Sequence, residues 1–156
     1  MKIPVFALCL AALLAFSMSL YSHCQIPCGI YGDETRVTLM EEHIDTIEKS
    51  MKTIVKLSAE ENPDWNQLVR WVVNKDEHAR KLSDIVTYYF MAQRVAPPPV
   101  ESAQKDPAYL EKIALLHGIL VEAMKAKQTV DLSHCAALRE KIHAFENLYF
   151  EKKANP

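Results

Sequence analysis

The chain has 156 residues, 49% hydrophobic and 24% charged, with a formal net charge of −2. That length suits one domain with a real core, and the composition argues against wholesale disorder. No basic stripe with interleaved aromatics occurs, so a nucleic-acid partner is not expected.

Met1 and Lys2 lead into an apolar run from Ile3 to Phe16, and small and polar residues follow from Ser17 to Ser22. This is the layout of an export signal, and the run is shorter than the ~20 apolar residues of a membrane span. Leu20 and Ser22 take the −3 and −1 positions of a cut after Ser22. Residues 1–22 are therefore expected to be a leader that is removed. The mature chain then starts at His23 and is exported, periplasmic or secreted, without stable membrane association. Of the four cysteines, Cys9 falls in the leader, leaving Cys24, Cys28 and Cys135. An odd number in an exported protein cannot close into a full disulfide set, so at least one thiol has another task.

The segment 23–32 reads His23-Cys24-Gln25-Ile26-Pro27-Cys28-Gly29-Ile30-Tyr31-Gly32. Only three glycines occur in the chain, and the pairing of Gly29 with Gly32 predicts tight backbone here and long helices elsewhere. Pro27 disfavours helical geometry at Ile26, and Gly29 can reverse the chain at low cost, so both sulfurs can reach one point. Thiolates select soft or borderline metals, and imidazole suits nickel, copper and zinc. A freed His23 α-amine, the Cys24 amide nitrogen and two thiolates would fill the corners of a square. That arrangement favours Ni(II) or Cu(II) over zinc, with the His23 imidazole left as an axial ligand. The amine titrates near ~8 and deprotonates readily for a metal. A disulfide between Cys24 and Cys28 is the plain alternative in an oxidising compartment.

Four helical segments follow. Val37, Met40, Ile44, Ile47, Met51 and Ile54 line one face of a first helix from about Asp33 to Glu60. Asn62-Pro63 predicts a cap and first-turn proline for a second helix. Its stripe is Leu68, Val72, Ala79, Leu82, Val86 and Tyr89, interrupted by Lys75. Residues 92–105, with Pro97-Pro98-Pro99, read as an extended linker. Asp106-Pro107 starts a third helix with Leu110, Ile113, Leu116, Leu120, Ala123 and Met124 on one face. Asp131 or Ser133 caps a fourth, bearing Cys135, Leu138, Ile142, Phe145 and Tyr149. Each stripe must be buried, so residues 33–156 are expected to form an all-α four-helix bundle behind the irregular segment 23–32.

The run His-Cys-x-x-Pro-Cys-Gly-x-Tyr at residues 23–31 resembles the nickel hook of the nickel superoxide dismutase family, with all six fixed identities present. The resemblance implies a four-helix bundle behind the hook and one nickel ion per chain. It also implies disproportionation of superoxide to oxygen and hydrogen peroxide by Ni(II)/Ni(III) cycling, in a homohexamer. By position, His23 would supply amine and axial imidazole, Cys24 a thiolate and its amide nitrogen, and Cys28 the second thiolate. Tyr31 would guard the approach and order water for proton delivery, and Tyr89-Phe90 would flank the site. A glutamate and an arginine supporting the axial histidine would come from among Glu41, Glu42, Arg70 and Arg80. Gln25 stands where members carry an acidic residue. The other reading is an exported nickel or copper binding or delivery protein without turnover. The remaining histidines (His43, His78, His117, His134, His143) show no repeated ligand spacing, and Glu140-x-x-His143 has no second copy.

Overall fold

The computed structural model describes residues 31–99 and 106–154, with side chains described through residue 151. Its helices are α1 (Asp33–Ser58), α2 (Trp65–Asp84), α3 (Pro107–Gln128) and α4 (Ser133–Ala154), and α2 runs on without a break as a π-helix over Ile85–Arg94. No strand occurs among the described residues. The all-α four-helix bundle expected from the stripes is the fold.

The first stripe is buried as expected, with Met40, Ile44, Ile47 and Met51 fully enclosed. The fourth is too, from Cys135 to Tyr149. The third is rotated slightly. Leu110 and Met124 are about half exposed, while Ile119 and Ala126 join Leu116 and Ala123 in the core.

Cross-helix contacts give the register. Asp33 meets Tyr89, His43 meets His78, and Ser50 meets Asn74, so α2 descends as α1 rises. Tyr149 meets Asp33 while Cys135 meets Met51, so α4 is antiparallel to α1. The start of α1, the end of the π-helix and the end of α4 therefore share one end of the bundle, where the segment preceding residue 31 joins it. Arg139 of α4 fastens the α1–α4 seam through Glu41, Asp45 and Glu48.

Three expectations are corrected. The cap of α2 is Asp64 rather than Asn62, its carboxylate accepting the Gln67 amide at 3.1 Å. Pro63 thus lies just outside the helix, where it costs no intrahelical bond. The linker begins at residue 95, because the π-helix carries the second helix through Arg94. Gly32 caps α1 at φ −79°, which any residue adopts. Asp106 does cap α3, accepting the Tyr109 amide at 3.0 Å with Pro107 in the first turn. Asp131 accepts the Ser133 amide at 2.9 Å at the start of α4.

Lys75, the interruption in the second stripe, is itself buried. Its Nζ donates to the carbonyls of Ala126 at 2.8 Å and Lys127 at 2.5 Å, and to Asp76 Oδ1 at 2.9 Å. These carbonyls belong to the last turn of α3, where backbone acceptors lack intrahelical donors and the helix dipole favours a cation. The lysine is a cap delivered from a neighbouring helix. Lys75→Met, which keeps the bulk and removes the donors, is expected to lower unfolding stability by about 2 kcal/mol or more, read from the denaturant midpoint.

Candidate metal centre

His23, Cys24 and Cys28 lie outside the described residues. Tyr31 is the first described residue, and it is 44% exposed. The end of the bundle next to Tyr31 is organised by Asp33, two residues further on. Asp33 Oδ1 accepts the Tyr89 hydroxyl at 2.6 Å and Arg94 Nε at 2.9 Å, and its Oδ2 accepts the Tyr149 hydroxyl at 2.9 Å. The same donors reach the backbone ahead of it: Tyr89 Oη lies 2.9 Å and an Arg94 amino nitrogen 3.3 Å from the Tyr31 carbonyl oxygen. The point where the segment 23–30 meets the bundle is thus held by one carboxylate and one carbonyl, gripped from two other helices.

The π-helix makes this grip possible. Its i→i+5 pattern, seen in Val95 N–H to Phe90 carbonyl at 2.9 Å, turns residues five apart to the same side. Arg94 can therefore donate to the Tyr89 hydroxyl five residues back, at 3.1 Å, while both attend Asp33. Phe90 points inward and packs edge-to-face on Tyr89, Phe145 and Tyr149 at centroid separations of 5.1, 4.9 and 5.6 Å. Burial, then the Asp33 carboxylate, push the Tyr89 phenol above its ordinary range, so it stays protonated as a donor.

Beside this node is a cleft of about 240 Å³ lined by Tyr31, Arg36, Asp84, Ile85, Tyr88, Tyr89 and Gln93. The Arg36 guanidinium lies over the Tyr31 ring, 4.1 Å from its centroid, and 5.4 Å from that of Tyr89.

No cluster of three or more His, Cys, Asp or Glu that could hold a metal occurs among the described residues. Cys135 is buried with its Sγ 3.7 Å from Met51 Sδ, and burial pushes its thiol up to about 11, far from thiolate character at neutral pH. Sequence spacing did not reveal that His43 and His78 meet across α1 and α2, Nδ1 to Nδ1 at 3.1 Å. His134 pairs with Glu122 at 2.8 Å, and His143 is exposed beside Glu146.

Glu41, Glu42, Arg70 and Arg80 were considered for support of His23, which lies outside the described residues. Glu41 is paired with Arg139 at 3.1 Å, and Arg80 with Glu77 and Asp84. Arg70 lines a separate cleft with Thr46, Gln67 and Asn74. Arg94, which reaches the Tyr31 carbonyl, and Asp33, which accepts from Arg94, were not singled out in the sequence. Asp33 read only as a helix boundary, and its partner is 61 positions away.

Asp33→Asn removes the charge from three hydrogen bonds and is expected to cost about 2 kcal/mol of stability in chemical denaturation. Burial first, with Lys81 nearby, holds the His43 and His78 imidazoles below 6.5, and His78 charge also opposes His43 charge. Their depressed folded values mean the unfolded chain binds protons more readily. Stability is full above pH ~6.5 and declines as pH falls from there through the folded values. Denaturation midpoints between pH 8 and pH 5 should show this decline, and His43→Gln should shallow it.

The profile of the nickel-containing superoxide dismutase family matches residues 18–153. No curated protein and no solved structure matches the chain. With that match spanning most of its length and an all-helical bundle behind residue 31, the chain belongs to the nickel-containing superoxide dismutases, oxidoreductases that use nickel to act on superoxide.

Proposed function

We propose that residues 23–28 hold one nickel ion per chain and that removal of residues 1–22 creates its first ligand. His23 then offers its α-amine and imidazole, Cys24 its thiolate and amide nitrogen, and Cys28 its thiolate. The observation that carries this reading is the state of Cys135. Its thiol is buried against Met51, and no group of three His, Cys, Asp or Glu able to hold a metal surrounds it among the described residues, which points to Cys24 and Cys28 as the thiolate donors of the mature chain. The donor chemistry of 23–28 fits nickel.

Bound nickel supplies one-electron exchange between Ni(II) and Ni(III). One superoxide gives up an electron and leaves as oxygen; a second accepts that electron with two protons and leaves as hydrogen peroxide. The chain's share is to admit the anion and deliver the protons. The exposed Tyr31 side chain stands at the end of the hook, suited to guard the approach and order water there. The Tyr89 phenol is committed to Asp33 and the Tyr31 carbonyl, so its role is to position the segment rather than to give up its proton. We further propose export to the periplasm or beyond, and assembly as a homohexamer.

The test is to place one extra residue ahead of His23 in the mature chain, which converts the amine to an amide. Nickel retention and superoxide decay should both be lost, and loading of the unmodified chain should weaken as pH drops, because the ligands must shed protons. Full activity in the extended chain would refute the hook. A chain that binds nickel without speeding superoxide decay would be a carrier instead.

A further inference from the structure

The cleft beside Tyr31 contains a cation, Arg36, with no countercharge among the described residues. Arg36 Nε is buried and has no hydrogen-bond partner, and its guanidinium makes no ion pair among the described residues. Each neighbouring charge is already engaged: Asp84 with Arg80 at 2.6 Å, and Asp33 with Arg94 at 2.9 Å. A buried N–H without an acceptor costs about 1–3 kcal/mol, and because Nε is closed to solvent, an anion in the cleft would meet the terminal amino groups of the same guanidinium. Two aromatic rings fix the plane of the guanidinium, Tyr31 at 4.1 Å and Tyr89 at 5.4 Å, which reduces the rotamer freedom it would lose on meeting a ligand.

We propose that Arg36 receives the superoxide anion at the mouth of the hook, its guanidinium facing the cleft formed by Tyr31, Tyr88, Tyr89 and Ile85. The assignment rests on nickel being held at residues 23–28. The cleft, about 240 Å³, has room for a diatomic anion with several waters at ~30 Å³ each. Stacking on Tyr31 couples the charge to the residue at the hook's end, so an anion drawn to Arg36 arrives beside the segment that carries the ligands. A fixed positive charge at a narrow approach raises the local concentration of an anionic substrate and the association rate, and salt weakens the effect.

The test compares Arg36→Gln and Arg36→Lys with the unsubstituted, nickel-loaded chain, each rate divided by bound nickel. Pulse radiolysis gives the second-order rate constant across a range of ionic strength. Arg36→Gln should lower it roughly three-fold or more at low salt and flatten its salt dependence, while Arg36→Lys should keep the slope. A second readout needs no metal. In the apoprotein, azide, a small monoanion, should shift the Arg36 Nε–H resonance, and Arg36→Gln should abolish anion-dependent shifts at the Tyr31 ring. An unchanged rate and slope in Arg36→Gln, or equal losses in Arg36→Gln and Arg36→Lys, would overturn the assignment. The extended-terminus variant separates this from failure of the hook itself: if that variant stays fully active the metal lies elsewhere, whereas an inactive extended chain beside an unaffected Arg36→Gln sinks Arg36 alone.

Discussion

The end of the bundle where α1 begins turns on the carboxylate of Asp33. It is a short acidic side chain at the first position of α1, largely shielded, and it accepts a hydrogen bond from each of three residues that lie 56, 61 and 116 positions further along the chain. Ionised acceptors hold such donors more strongly than neutral ones do. Two of the three donors also reach the Tyr31 carbonyl, so the same contacts that start the first helix also anchor the backbone leading to it. A ligand-bearing segment with little core of its own needs this kind of fixture.

The aromatic cluster behind Asp33 gives that fixture a rigid base. Phe90, Phe145, Tyr149 and Tyr89 pack at centroid distances near 5 Å, mostly edge to face, which favours one arrangement over a sliding set of alternatives. The π-helical wind at the end of the second helix is what allows consecutive residues Tyr89 and Phe90 both to be buried while Arg94 turns back to the same acceptor. Helical irregularities of this kind concentrate where a side chain has to be aimed rather than merely buried.

The bundle was legible from apolar spacing because burial of a stripe is a local, periodic demand, and the stripes of α1 and α4 appear in the core nearly residue for residue. The proposed metal ligands, which lie outside the described residues, were suggested by the sequence for a different reason: the donors are contiguous, so chemistry and spacing stand in one short run. What could not be read were pairings between distant positions. Lys75 looked like a break in a stripe because its partners are carbonyls about fifty positions away. Asp33 with Arg94, and His43 with His78, are likewise products of the register between helices, which periodicity alone does not specify. The π-helix was missed because the preference for it lies in the contacts it permits and not in the composition of Ile85–Arg94.

Lys75 and Asp33 occupy opposite ends of the same bundle, and each joins elements that the chain order keeps apart. The lysine binds the last turn of α3 where the loop into α4 begins; the aspartate binds the entry of α1 to the exits of the second helix and of α4. Sites that are well separated and share no partner tend to contribute independently to folding. One pole therefore serves as the rivet of the scaffold, and on the proposed reading the other is its working face, so changes there can retune the face without loosening the rivet.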